Sequence, residues 1–404
     1  MGEGCALTPA GSQPSEEPSS DARLPSYVVA LGASAGGLEA LEAFFDHLPV
    51  DTGMAFVVIQ HLSPDYKSLM VELLSRHTKM PVVRAEMGMR IERDTVYLIP
   101  PKTNMTVGQG RLILSQQSPQ FGPQLPIDIF FQSLAEEFGE QAVGIVLSGT
   151  GSDGMRGVRA IKETGGLVLA QDELQAKFDG MPRSAIATGL VDLVLPVEQM
   201  PAELLAVVSS CEPRPNSAPP PKSDEQQLAR VFELVKRQTN VDFSLYKPAT
   251  VLRRIERRMQ VNQVHDFKDY VRLLDQSGRE RTSLYKELLI GVTKFFRDAE
   301  AFRLVEERVI PTMFEETNSQ EPVRIWVTAC STGEEAYSLA MLTREYCDVR
   351  GIDREIKIFA TDIDREAVDF GATGIYPESI AADVPTDRLQ RFFTRKKDQF
   401  QVNR

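Results

Sequence analysis

The sequence predicts an α/β protein. Its first half reads as a doubly wound, mostly parallel sheet. A small all-α region and the first part of a Rossmann-like unit follow. Three observations carry this prediction. Short aliphatic runs alternate with helical stretches between residues 27 and 195. A Pro-rich segment, EPRPNSAPPPKS at 212–223, has the composition of a semi-rigid linker. Beyond it, strand-like runs are missing until Val323 and then return.

In chain order, residues 1–24 are rich in Ser, Pro, Gly and acids and read as a disordered tail. Residues 25–210 form the first domain. Its strand-like runs are 27–31, 54–60, 95–99, 142–147, 167–170 and 191–195. Near-continuous aliphatic runs suit strands buried on both faces of a parallel sheet. Leu38, Leu41, Phe45 and Leu48 mark the buried face of a first helix. The Gly-punctuated stretch 104–116 reads as a hairpin. Residues 211–224 are the linker, and 225–308 show amphipathic helices only. From 309 to 404 the chain holds two strand–helix units, VRIWVTA and IKIFATD each leading into a helix. Two such units do not close an α/β domain, so the sequence reads as stopping inside its last domain.

The chain has 404 residues, enough for two or three domains. Net charge is −11 over residues 1–210 and −1 over 211–404. Neither half is basic, which argues against a nucleic-acid binder. No apolar run approaches the roughly 20 residues that span a bilayer, and the N-terminus lacks a signal peptide's apolar region, so no membrane insertion is expected. Cys5, Cys211, Cys330 and Cys347 have neither metal-ligand nor redox spacing. Free thiols, no metal and a cytoplasmic location are expected.

The chemistry concentrates at strand ends. The first strand runs into Gly32-Ala33-Ser34-Ala35-Gly36-Gly37 and then a helix. Gly32-x-Ser34-x-Gly36 in that context matches a nucleophile elbow. Taken alone, the pattern also fits a phosphate-binding turn or a helix capped by Ser34. The second strand ends at His61, and the run 142–147 ends in Ser148-Gly149-Thr150-Gly151-Ser152-Asp153-Gly154. Parallel strands put their carboxyl ends on one edge, so Ser34, His61 and Asp153 can meet there as nucleophile, base and orienting carboxylate. Asp153 as a helix cap and His61 as a core histidine are the plainer alternatives.

These strings, together with Gly180-Met181-Pro182-Arg183, resemble the chemotaxis receptor (CheB-type) protein-glutamate methylesterases. The resemblance covers nearly all of 25–210. It implies Ser34 as nucleophile, His61 as base and Asp153 as its partner. Ala35, Gly36, Thr150, Gly151 and Met181 would line the site. No cofactor is implied for the esterase. The implied partner is a methyl-accepting chemotaxis receptor, and glutamine deamidation is a related activity. Thr150 stands where the family often has methionine, and the family's usual receiver domain does not precede the esterase here.

In the second half, KPATVLRRIERRMQ at 247–260 places Leu252, Ile255 and Met259 on one helical face and Arg253, Arg254, Arg257 and Arg258 on the other. A solvated basic face is the default reading. Further on, the first strand leads into Cys330-Ser331-Thr332-Gly333-Glu334-Glu335, and the second ends in Thr361-Asp362-Ile363-Asp364. A close-approach loop followed by an acid follows dinucleotide-site logic, although a helix cap at Asp362 and a small buried residue at Cys330 fit equally. With the string 289–298, these features resemble the CheR-type receptor methyltransferases, which use S-adenosylmethionine. The resemblance implies Thr293, Arg297, Glu334 and Asp362 as cofactor contacts. It implies Arg254, Arg257 and Arg258 as contacts to an acidic receptor helix. Gly291 replaces an asparagine found in some relatives, and the family's later strands are missing, so no methylation is expected from this chain. The readings set against a methylesterase are a serine hydrolase of other esters and a signalling scaffold that binds receptor helices without catalysis.

Overall fold

The computed structural model describes residues 24–61, 69–117, 125–209, 222–289, 291–316, 321–397 and 399–403. The expected tail up to residue 23, linker residues 211–221, Cys5 and Cys211 lie outside them.

The first domain is a seven-stranded parallel sheet wrapped by helices. In chain order its elements are β1 (Val28–Ala33), α1 (Gly37–Asp46), β2 (Ala55–Gln60), α2 (Met70–Leu74), β3 (Val82–Arg84), β4 (Val96–Leu98), β5 (Thr103–Gly108), β6 (Arg111–Gln116), α3 (Pro126–Phe138), β7 (Ala142–Val146), α4 (Met155–Glu163), β8 (Leu167–Gln171), α5 (Gly180–Ala187), β9 (Leu193–Leu195) and α6 (Met200–Ser209). The sheet order is β3-β4-β2-β1-β7-β8-β9, and β5–β6 form a separate antiparallel hairpin. β1 is central, pairing Val28 with both Ala55 and Ala142. Every β1 residue is buried, as the aliphatic run requires. Its alternate residues serve two cores. Val29 and Leu31 pack with Phe44, Phe45 and Phe56 on one face. Val28 and Ala30 pack with Ile127, Phe130 and Phe131 on the other.

The chain leaves β1 toward β2 and returns through β7 on β1's other side. The connections therefore diverge between β1 and β7, the topological switch point at which such sheets open a crevice.

The all-α part comprises α7 (Lys222–Thr239), α8 (Pro248–Val261), α9 (Phe267–Gln276) and α10 (Gly278–Leu288) around Val231, Phe243, Ile255 and Tyr270. Helix α7 starts inside the stretch expected as linker, because KSDEQQLAR, after the prolines, is built of helix formers. Asp266 and Ser277 cap α9 and α10 through their side chains.

The last part runs α11 (Ala299–Leu304), α12 (Ile310–Glu316), β10 (Val323–Thr328), α13 (Glu334–Arg350), β11 (Ile356–Thr361), α14 (Arg365–Thr373), β12 (Ile375–Pro377), α15 (Thr386–Phe392), β13 (Phe393–Lys396) and β14 (Gln399–Val402). β10 and β11 pair in parallel across α13, the crossover expected of a Rossmann-like unit. β12, β14 and β13 form an antiparallel sheet that the sequence reading did not anticipate. No helix among the described residues is long and apolar enough to cross a membrane.

Candidate active site

Three loops at the switch point build the site. After β1 the chain turns through Ser34, Ala35 and Gly36 into α1. Gly36 has φ 67°, and a Cβ there would lie 2.9 Å from Ser148 Oγ, so both conformation and space call for glycine. Ser148, just beyond β7, staples the turn. Its carbonyl accepts from Ser34 N–H at 3.0 Å, and its hydroxyl donates to the Ala35 carbonyl at 2.9 Å.

His61 follows β2, and its N–H donates to the Ala33 carbonyl at 3.2 Å. Its ring bridges the other two expected residues. Nδ1 lies 3.1 Å from Ser34 Oγ, and Nε2 lies 2.8 Å from Asp153 Oδ2. A carboxylate only accepts, so Nε2 carries the proton and Nδ1 is left to accept from the serine hydroxyl.

Asp153 is 3% exposed. Its Oδ1 accepts from the N–H groups of Asp128 and Gly154, both at 2.9 Å, and its Oδ2 from Ile127 N–H at 3.1 Å. Ile127 and Asp128 belong to the first turn of α3, whose N–H groups have no partner within the helix. The helix end therefore supplies the hydrogen-bond donors that fix Asp153. The aspartate caps α3, which precedes it, and orients His61. The simple cap on the following helix considered above is not what the fold uses.

Asp128 is a second buried carboxyl beside the first. Burial, then the charge of Asp153, push its pKa up to about 8. Its Oδ1 accepts from Gly157 N–H at 2.7 Å, while Oδ2 has no partner among the described residues. Asp128 thus favours its protonated form beside the carboxyl that meets His61. The sequence reading missed Ile127, Asp128 and Ser148.

The N–H groups of Ala35, Gly36, Thr150 and Gly151 have no hydrogen-bond partner among the described residues and are free to meet a developing oxyanion. Met181 is buried, and its own N–H is bonded to the Gly149 carbonyl, so it contributes packing. A Cβ at Gly149 would lie 2.2 Å from Met181 Sδ and 2.8 Å from Ser34 Cβ. Glycine there lets the third loop close on the nucleophile.

A second concavity, of about 610 Å³, lies where the esterase-like domain meets the last part of the chain. Thr293, Arg297 and Glu334 line it, and so do Lys294, Phe295 and Tyr376. Aromatic rings with both signs of charge fit a zwitterionic nucleoside ligand such as S-adenosylmethionine. Asp362 is not on this wall. Its carboxylate accepts from Ser331 N–H at 2.7 Å and Asp364 N–H at 2.9 Å, tying the loop after β10 to β11. Cys330 is buried beside that loop, and burial followed by the Asp362 charge raises its thiol pKa.

Three of the four arginines of α8 are tied down within the chain. Arg258 makes a two-pronged pair with Glu280 at 2.9 and 2.7 Å. Arg254 donates to the Lys162 carbonyl at 2.8 Å and to Glu287 at 3.4 Å. Arg257 is buried and donates to Gln260. Of the basic stripe read from the sequence, only Arg253 is on a solvated face.

Comparison with known proteins divides the chain in the same way. Residues 29–204 match the CheB methylesterase family model, 226–289 the all-alpha domain of CheR methyltransferase, and 291–404 its SAM binding domain. A Rhodobacter capsulatus protein described as an uncharacterized 104.1 kDa protein in the hypE 3' region is 43% identical over 82% of this chain and 37% of its own length. A Photorhabdus laumondii protein-glutamate methylesterase/protein-glutamine glutaminase is 36% identical over 45% of this chain and 53% of its own. The solved Thermotoga maritima CheB methylesterase catalytic domain is 28% identical, covering 44% of this chain and 97% of its own, at a TM-score of 0.41. The chain spans about half or less of the length of these curated relatives. It is a CheB methylesterase domain followed by the all-alpha and SAM-binding domains of the CheR methyltransferase family.

Proposed function

We propose that this chain hydrolyses methyl esters of glutamyl side chains on a methyl-accepting chemotaxis receptor, in the cytoplasm, by a serine mechanism. The observation that carries this reading is the unbroken chain from Ser34 Oγ through His61 to Asp153, at 3.1 and 2.8 Å. Ser34 attacks the ester carbonyl as Nδ1 of His61 takes its proton. The imidazolium formed is stabilised by buried Asp153. N–H groups of Ala35, Gly36, Thr150 and Gly151 meet the oxyanion, and losing one such donor costs about 100-fold or more in rate. His61 then protonates the departing methanol, and water, deprotonated by His61, releases the glutamate. Attack on a glutamine amide gives the same acyl-enzyme with ammonia leaving, and the double name of the relatives supports that second activity.

The CheR part is read as a module for S-adenosylmethionine, which supplies an electrophilic methyl group when bound. Thr293, Arg297 and Glu334 would hold it from the cavity wall, and Asp362, off that wall, would fix the loop after β10. Receptor contact by Arg254, Arg257 and Arg258 requires these arginines to leave their present partners.

The test is release of methanol from labelled, methylated receptor. The wild-type chain is expected to release it, and Ser34→Ala to lose release while still binding receptor. Turnover of small esters with none of the receptor points to an unrelated hydrolase. Receptor binding with no turnover in either protein points to a scaffold.

A further inference from the structure

Helix α4 begins two residues after Asp153 and runs from the triad to the cavity of the SAM-binding domain. Its outward residues grip that domain. Arg159 Nη1 lies 3.6 Å from a Glu334 carboxylate oxygen and donates to the Thr293 carbonyl at 3.5 Å. Glu163 pairs with Arg297 at 2.6 Å, and Arg156 pairs with Asp383. Glu334 is only 4% exposed, so Arg159 meets it in a setting where water screens little. The same helix buries Lys162 completely, with Asp192 of its own domain at 2.7 Å and Glu287 of α10 at 2.9 Å.

The cavity has the volume for a nucleoside ligand, yet its recognition groups are engaged from outside the module. An S-adenosyl nucleoside offers donors to a carboxylate such as Glu334 and a carboxylate to a cation such as Arg297. Helix α4 reaches Glu334 through Arg159, beside its Thr332 partner at 2.6 Å, and Arg297 through Glu163. The Arg297–Glu163 pair is half exposed and contributes little. The Arg159–Glu334 contact is the one a ligand must displace.

We propose that Arg159 of α4 in the esterase domain competes with an S-adenosyl nucleoside for Glu334, so that ligand binding and docking of the two modules oppose one another. This rests on reading that cavity as the cofactor site. The docked arrangement also engages Arg254 through the Lys162 carbonyl. One contact surface therefore masks both the cofactor groups and part of the basic stripe of the methyltransferase module. Competition of this kind is reciprocal, because docking weakens ligand binding by the factor by which the ligand weakens docking.

The experiment is calorimetric titration of the full chain with S-adenosylhomocysteine. Arg159→Ala and Arg159→Gln should each bind at least about tenfold more tightly than wild type, the scale of a released partly buried contact. Glu334→Gln placed in the Arg159→Ala chain should abolish that binding. On binding, hydrogen exchange over residues 155–163 should rise. If both Arg159 variants bind no tighter than wild type while Glu334→Gln weakens binding, the competition is wrong and the cofactor reading stands. Binding with unchanged exchange over 155–163 overturns the competition as well. If no variant binds, or Glu334→Gln has no effect, the cavity is not the cofactor site and the proposal falls with that reading.

Discussion

His61 has two partners of opposite character, and that asymmetry sets its chemistry. Asp153 forces the proton onto Nε2, which leaves Nδ1 unprotonated toward Ser34. Asp128 keeps this arrangement simple by holding its own proton. The sign of its effect on stability follows from its raised pKa. Between its ordinary value near 3.8 and the folded value of about 8, the folded chain binds a proton that the unfolded chain does not. Asp128 therefore costs stability increasingly as pH rises through that window, and the cost levels off above about pH 8. Asparagine keeps the acceptor for Gly157 N–H without needing a proton. Asp128→Asn is thus expected to gain in urea midpoint over wild type from about pH 4.5 to about pH 8. A difference that does not change with pH contradicts a protonated Asp128. The triad residues were legible because each follows a strand and sits in a short, distinctive string. Asp128 was not, since nothing near it in sequence shows that α3 points its first turn at a carboxylate 25 positions later.

Among the elements, α3 and α4 do the positioning, and the sequence showed them only as amphipathic stretches. The strands read well where they are long and buried, as in β1, β2 and β7. β3, β12, β13 and β14 were missed because runs of three or four residues carry no periodicity to detect, whereas the equally short β4 and β9 lie inside five-residue apolar-rich runs. The basic stripe of α8 was misjudged as a surface for a related reason. Spacing shows that arginines share a face, but not that Glu280 and Glu287 of a later helix meet it. Lys162 on α4 makes the interface explicit. Burial works to raise the Asp192 carboxyl, but Lys162 and Arg257 outweigh it and hold its pKa low. Its stabilising contribution is present above the ordinary carboxylate range and is lost as pH falls through the lowered folded value. Lys162→Met removes the nearest cation from two buried carboxylates, leaving only Arg257 for Asp192 and Arg254 for Glu287, and is expected to cost about 3–5 kcal/mol at neutral pH. Urea unfolding at pH 7 checks this, and the gap to wild type should narrow in acid as Asp192 takes up a proton. A loss of under about 1 kcal/mol shows instead that the interface opens freely to water.

At the scale of the whole molecule, a CheB methylesterase domain and domains of the CheR methyltransferase family share one chain and one contact surface. The division into a parallel-sheet domain, a helical domain and a Rossmann-like unit was legible from alternating patterns and a Pro-rich break. How the parts dock was not, because domain contacts leave no period in a sequence. The proposed ester hydrolysis depends above all on Ser34 and His61 working as one unit across the switch point of the sheet. The most direct measurement is the rate of methanol release by Ser34→Ala, His61→Ala and the double variant. Each single change is expected to cost about 10⁴-fold or more, with the double variant no worse than the poorer single one. Losses that multiply in the double variant, or a Ser34→Ala chain that keeps its rate, contradict it.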